Sequence, residues 1–281
     1  MSRNNENRIG TAPEPPIPAM PTPASDPDGQ AFSFVTPTEF VELPSRGRFY
    51  SEDHPLHNQE TVEIRYMTAK DEDILTSPSL LRKGLAVERL IQNVIVDKRI
   101  KTDNLLVGDK NAILVAARVS GYGAEYSVKV TCPSCAATSD HTFDLNDINQ
   151  NLGEDLNFDE NGFFTVKLPK IDATVGLDLM TGADEKKLTK LAENRKKKSL
   201  PDASLTDQFR MIIRSVNGST NQAHINSLID NMPATDSRYL RTAYAELCPG
   251  VDLSQDYDCP ECGMQEEVII PFTTEFFWPK R

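Results

Sequence analysis

The sequence predicts an α+β protein of two related repeats, each with strands, a helical cluster and a Cys-x-x-Cys β-knuckle. Three observations carry that expectation. Cys132-Pro133-Ser134-Cys135 recurs as Cys259-Pro260-Glu261-Cys262, 127 residues later. The same offset sets Asp109 on Asp236 and Ala116 on Ala243, so the correspondence reaches upstream of the cysteines. Further back, VEIRYMTAKDEDILT from Val62 aligns with VGLDLMTGADEKKLT from Val175 at an offset of 113, setting Met67 on Met180 and Asp71 on Asp184. The offsets differ by 14, which places extra residues inside the second copy. Self-similarity at long spacing fixes the order of several elements at once.

Residues 1–39 hold Pro13, Pro15, Pro16, Pro18, Pro21, Pro23, Pro27 and Pro37 among few large apolar groups. Such a segment buries too little surface to offset its ordering entropy, so a disordered arm is expected there. The first repeat is assigned to 40–145. It opens on FVELPSRGRFY, with a turn at Pro44 to Gly47, and Val62, Ile64 and Tyr66 alternate as a strand. Thr68 is placed to cap a short helix whose first turn holds Asp71, Glu72 and Asp73, complementing the helix dipole. Pro78 interrupts it, and the next helix carries Leu90, Ile91, Val94 and Ile95 on one face. Asp109 is read as the cap of a third helix that ends near Gly121 and Gly123. Tyr126, Val128 and Val130 then alternate into the first cysteine pair, and Thr142 to Leu145 lead away.

Residues 146–161 are acidic and polar and are read as a linker. The second repeat, 162–281, opens with Phe164, Val166 and Leu168, then Val175, Leu177 and Leu179, as two strands around Pro169. Thr181 repeats the cap of Thr68. The basic run Arg195 to Lys198 is expected on a solvated face or loop rather than an anion site. Phe209, Ile212, Ile213 and Val216 are read as one helical stripe stopped by Gly218, and Asp236 or Ser237 as the cap of a helix bearing Leu240, Ala243, Tyr244 and Leu247. Val268 to Phe272 return from the second pair as a strand. Phe276, Phe277 and Trp278 either close the core or anchor an interface.

Composition bounds the partners. Lys plus Arg number 30 against 42 for Asp plus Glu, a net charge of −12, which opposes the phosphate neutralisation that nucleic-acid binding requires. The start is polar and proline-rich, and no apolar run is long enough to cross a bilayer, so neither a secretory leader nor membrane insertion is expected and the chain reads as intracellular.

Four of the five cysteines form the two pairs, which suits a metal in a reducing compartment better than a disulfide framework; Cys248 is expected to be a small buried residue. A structural zinc takes four ligands in a tetrahedron, and each pair supplies half. One zinc shared by Cys132, Cys135, Cys259 and Cys262 would join the two copies. Alternatively, His141 completes the first pair with ligands from another chain, or the pairs are metal-free relics. Thioredoxin-like chemistry is the enzymatic rival, but it needs the first thiolate at a helix N-terminus, whereas strand-like residues flank both pairs. His54 and His57 lie in a polar turn and read as surface residues. Among the residues there is no phosphate-cradling loop, nucleophile elbow or triad, and no catalytic residue is nominated.

Taken in order, LPSRGRFY, VEIRYMTAKDEDIL, GDKNAILVAARVSGYG and CPSC resemble the baseplate hub family of T-even-type contractile-tailed bacteriophages, over about residues 40–273. The resemblance implies a non-enzymatic role, as a structural subunit or an assembly factor of the central hub. It implies other baseplate or hub proteins as partners, with self-association left open, and a location in the host cytoplasm during assembly or in the tail baseplate. A zinc-ribbon adaptor unrelated to tails is the competing reading, and the acidic balance disfavours it.

Overall fold

The computed structural model describes residues 35–153, 156–270 and 274–277. The arm expected over 1–39 lies almost wholly outside them. β1 (Thr38–Glu42) pairs antiparallel with β2 (Thr61–Arg65), burying Val41, Val62 and Ile64. Tyr66 falls beyond the strand. Thr68 caps α1 (Ala69–Thr76) as its sequence suggests: the Asp71 carboxylate accepts from the Thr68 backbone N–H at 2.8 Å and from its Oγ1 at 2.9 Å. Pro78 is the first residue of a new short helix, α2 (Pro78–Arg82), where its missing N–H costs nothing. α3 (Ala86–Val94) then buries Leu90, Ile91 and Val94, and Ile95 leaves the helix to bridge Ile64.

α4 (Val107–Tyr122) corrects one expectation. Asp109 does not cap it; Leu106 occupies that position and Asp109 sits in the first turn, buried. Its carboxylate reaches across the chain instead, accepting from the Ser45 N–H at 3.0 Å, the Ser45 Oγ at 2.6 Å and the Tyr50 hydroxyl at 2.7 Å. The long loop after β1 is thereby fastened to the helix. β3 (Glu125–Thr131) and β4 (Thr138–Asp144) follow as an antiparallel hairpin with Tyr126, Val128, Val130 and Phe143 inward.

The expected linker contains structure of its own. Asn149–Asn151 form β5, which pairs with β9 (Gly250–Asp252) from far along the chain. β6 (Phe164–Lys167), β7 (Thr174–Leu177) and β8 (Ile213–Val216) make one antiparallel sheet in that order. Thr181 caps α5 (Gly182–Lys197), with Asp184 accepting from its Oγ1 at 2.8 Å. The run Arg195 to Lys198 closes that helix.

The stripe read through Val216 is broken: α6 (Ser204–Ile212) stops at Ile212, and Ile213 to Val216 are β8. Ile213 and Val216 pair with Leu177 and Val175 of β7, so tertiary pairing of β-branched residues overrides a spacing compatible with either helix or strand. α7 (Gln222–Asn231) and α8 (Ala234–Leu247) complete the helices. Neither Asp236 nor Ser237 caps α8. Pro233 holds that position, and buried Asp236 accepts the Lys170 and Ile171 N–H groups, each at 2.9 Å. β10 (Ser254–Asp258) and β11 (Gln265–Ile269) form the last hairpin. Of the return strand expected over Val268 to Phe272, Val268 and Ile269 end β11, Ile270 follows it, and Pro271 and Phe272 lie outside the described residues.

Thr36–Arg281 is one compact unit with two cores. One gathers Phe164, Val175, Leu177, Phe209, Ile225 and Leu240. The other gathers Leu43, Ile64, Leu90, Ile113, Tyr126 and Phe143, and it also receives Tyr257, Cys259, Ile270, Phe276 and Phe277 from the end of the chain. The final hairpin therefore packs into the core of the first half. Phe276 and Phe277 close that core rather than facing solvent, with the Phe276 ring edge-on to Tyr126 at 5.2 Å; Trp278 lies outside the described residues. Fully buried Arg118 ties this end down. Its Nε donates to the Phe276 carbonyl at 2.6 Å, its Nη2 to the Glu125 carbonyl at 2.8 Å and its Nη1 to the Gly123 carbonyl. The halves also meet where Leu106 bridges Thr181 and the Gly182 N–H donates to the Leu105 carbonyl at 2.9 Å. A Cβ on Gly182 would lie 2.3 Å from the Thr102 carbonyl oxygen, so only glycine permits that approach.

Candidate metal centre

Each cysteine pair sits in the turn of a hairpin, and the two turns share one backbone geometry. In the first, the strands end at the Thr131–Thr138 pair; the Cys132 N–H donates to the Ala137 carbonyl at 2.8 Å and the Ala136 N–H to the Cys132 carbonyl at 3.0 Å. In the second, the strands end at Asp258–Gln265; the Cys259 N–H donates to the Met264 carbonyl and the Gly263 N–H to the Cys259 carbonyl, both at 2.9 Å. Every one of these positions differs by the offset of 127 found in the sequence. The turns reverse through a left-handed residue, Ala136 at φ 57° and Gly263 at φ 71°.

Packing of Tyr257 and Ile270 into the first core brings the two turns face to face. Cys132 Sγ lies 3.8 Å from Cys262 Sγ, and Cys135 Sγ lies 3.8 Å from Cys259 Sγ. All four sulfurs lie within 4.8 Å of one another. A tetrahedral site with Zn–S bonds of about 2.3 Å has sulfur–sulfur edges of about 3.8 Å, so the set needs little movement to close on an ion. At this separation the thiols are free rather than bonded in pairs. Cys132 and Cys259 are buried, whereas Cys135 and Cys262 are exposed, giving an ion a route in.

Electrostatics fit the same occupant. Backbone N–H groups of Cys262 and Glu261 point at Cys259, whose thiol is pulled down to about 6. At Cys135 the Ala137 N–H pulls downward, but burial and the neighbouring thiols outweigh it and push the group up to about 12. Cys262 is raised, the downward pull of the Met264 N–H being outweighed by Cys259, burial and Cys132. Thiolates this close oppose one another's ionisation, and a divalent cation held between them would relieve that opposition.

The other candidates do not assemble. His141 stays on β4 opposite Val128, its ring against Phe143 at 4.6 Å and Tyr257 at 5.2 Å, outside the cysteine group. His54 is not a free surface residue: its ring stacks on Tyr50 at 4.3 Å, and its Nδ1 accepts from the Leu56 N–H at 3.2 Å. His57 Nδ1 lies 2.7 Å from the Tyr50 carbonyl oxygen, so both histidines shape the loop that Asp109 fastens. Cys248 is partly buried beside Tyr244, away from the four, and burial pushes its thiol to about 12. Neither cysteine pair lies at a helix N-terminus, the feature on which thioredoxin-like chemistry depends.

The sequence pattern missed Arg118. A lone arginine in GDKNAILVAARVSGYG gives no sign that it is buried, because its three carbonyl partners come from a turn, a strand and the chain's far end. Among the described residues, no helix is long and apolar enough to cross a membrane.

No curated protein and no solved structure matches the chain. The profile of the family described as T4 bacteriophage base plate protein matches residues 37–278, which spans both halves and both cysteine turns. The chain belongs to that T4-type phage baseplate family.

Proposed function

We propose that the protein acts in the central hub of the tail baseplate, as a structural subunit or as a factor that assists hub assembly, through contacts with other baseplate proteins and without catalysis. Family membership over 37–278 is the observation that carries this reading. The same reading makes Cys132, Cys135, Cys259 and Cys262 the ligands of one structural zinc, on the strength of the 3.8 Å sulfur edges. The metal would join two related units, 40–145 and 162–281, and hold the final hairpin on the first core. It would serve rigidity, with all four ligand positions taken and none open to substrate.

Quantitative peptide mass spectrometry of infected-cell lysate and purified virions, with a tail-tube protein as internal reference, tests the role. A low, fixed ratio in virions is expected of a hub subunit. Abundance in lysate, retention on tail precursors and absence from virions identify an assembly factor. Absence from both virions and tail precursors overturns the reading.

A further inference from the structure

The protein carries 42 acidic against 30 basic side chains, yet cations concentrate on one helix. On α5, Lys187, Lys190, Leu191, Asn194 and Lys197 recur every three or four residues and are exposed, with Lys198 continuing the line at the C-cap and Glu193 as the one acid beside it, so they form one mainly cationic stripe about 16 Å long. Lys187 is engaged by Asp184 at 3.0 Å. Lys190, Lys197 and Lys198 form no ion pair among the described residues, and apolar Leu191 and Leu200 lie exposed between and beyond them, at 37% and 51%. The first half has no such stripe. At the offset of 113, Ile74, Ser77 and Pro78 stand where Lys187, Lys190 and Leu191 stand.

The opposite pattern occurs on the last hairpin. Strand alternation places Tyr257 inward and Asp256 and Asp258 outward, and the register sets Asp256 across from Glu267. Asp256, Asp258 and Glu267 are exposed and form no ion pair among the described residues. On the same outward face Ile269 is 74% exposed, an apolar side chain beside the acids as Leu191 and Leu200 are beside the lysines. The hairpin strand is about 17 Å long, so it matches the length of the helical stripe.

We propose that the α5 stripe of one molecule docks on the β10–β11 outer face of a second copy. Opposite charge and an apolar contact on each side make the surfaces complementary, while each face repels its own kind. Because the two faces differ, the contact is head-to-tail: it extends into a filament or closes into a ring according to the rotation between copies. A single helix on a two-stranded ribbon buries less than the roughly 1,200 Å² of a stable standard interface. The association is therefore weak, salt-sensitive and suited to molecules already concentrated on a common scaffold. It stands apart from the hub reading, since it concerns copies of this chain alone.

Sedimentation velocity on the full-length protein, as a concentration series in about 50 mM and about 300 mM salt, tests it. The expected result is reversible association that weakens roughly tenfold or more at the higher salt. The triple variant Lys190→Glu, Lys197→Glu, Lys198→Glu should remain monomeric while keeping the wild-type circular dichroism. Asp256→Lys with Asp258→Lys and Glu267→Lys should do the same. Mixing the two reversed proteins should restore pairing, which misfolding could not produce. A wild type that stays monomeric throughout, an oligomer indifferent to both reversals, or a mixture that fails to pair overturns the proposal. None of these outcomes depends on whether the protein is found in virions.

Discussion

The two halves of the molecule solve one packing problem with different additions. Each runs from a strand through a Leu-Pro turn whose leucine is buried, Leu43-Pro44 or Leu168-Pro169, to a second strand, then to a helix capped by Thr68 or Thr181. Each closes on a helix whose first turn buries an aspartate, Asp109 or Asp236, that clamps the Leu-Pro turn. The first half spends its added residues between its two strands, where the loop to Gln59 carries Tyr50 and His54. The second lengthens its capped helix, completes β8 where the first half has only the Ile64–Ile95 bridge, and adds α7. The offset accordingly rises from 113 at Ile64 and Leu177 to 118 at Ile95 and Ile213, and to 127 at the clamping aspartates. Both halves keep the capped helix and the clamped turn, and each adds core residues of its own: Tyr50 and Leu56 in the first half's loop, Ile213 of β8 and Ile225 and Ile229 of α7 in the second.

The largest asymmetry is the final hairpin, which belongs to the second half in sequence and packs on the first in space. A bound zinc would close a loop of more than a hundred residues, so removing it should have the largest effect. In Cys132→Ser with Cys259→Ser, zinc measured by plasma mass spectrometry should fall from one per chain to none, and the melting temperature should drop by about 10 °C or more. Hydrogen exchange across 254–270 should accelerate first, because without the metal this hairpin keeps only its packing through Tyr257 and Ile270 and a few hydrogen bonds to the first half. Wild-type melting and protection in this variant would remove the clasp from the account.

Next come the clamps. Asp109→Ala strips an acceptor from three donors and Asp236→Ala from two, so losses of about 3–5 and about 2–3 kcal/mol are expected in urea unfolding. Equal losses would break the ranking. Acid titration sharpens it further. Burial holds the Asp109 carboxyl above its ordinary value, so the native state keeps a proton that the unfolded chain releases; this residue's contribution is greatest at low pH and declines as pH rises from about 4 through the folded value. Asp109→Asn should remove that decline. Asp71 behaves oppositely: burial pushes its carboxyl up, but the bidentate Arg65, the Thr68 N–H and Asn93 together outweigh this and hold it at about 2. Its stabilisation is present above about 4 and is lost as pH falls toward 2.

Much of this was legible in sequence where the signal is local. The threonine caps, the Pro78 break, the inward face of α3 and both cysteine turns follow from residues within a few positions of one another. The clamps were visible as matched aspartates but misread as caps, since a carboxylate in a helix's first turn suits the dipole whether it faces its own backbone or a loop 64 residues away. The β5–β9 pairing was illegible because Asn149, Gln150 and Asn151 meet β9 through the backbone ladder and carry no apolar alternation. The meeting of the cysteine turns was inferred from ligand number. Nothing local encodes it, and Tyr257, Ile270 and Phe276 accomplish it by entering a core begun more than a hundred residues earlier.

The smallest expected effect tests how alike the two turns are. Both reverse through a left-handed residue, but Ala136 occupies that position in the first and Gly263 in the second. A side chain in this conformation costs about 1 kcal/mol, and a Cβ on Gly263 would meet nothing within 4 Å. Gly263→Ala should therefore destabilise by about 1 kcal/mol through backbone strain alone. Ala136→Gly relieves that strain but frees the unfolded chain, so its change should stay within about 0.5 kcal/mol of zero. If the turns are equivalent halves of one tetrahedron, the double variant, which exchanges the two residues, should hold metal as tightly as the wild type in a competitive chelator titration. A selective loss of affinity in Gly263→Ala would instead mean that the second turn must flex to admit the ion, making it the mobile side of the clasp and the first turn its fixed template.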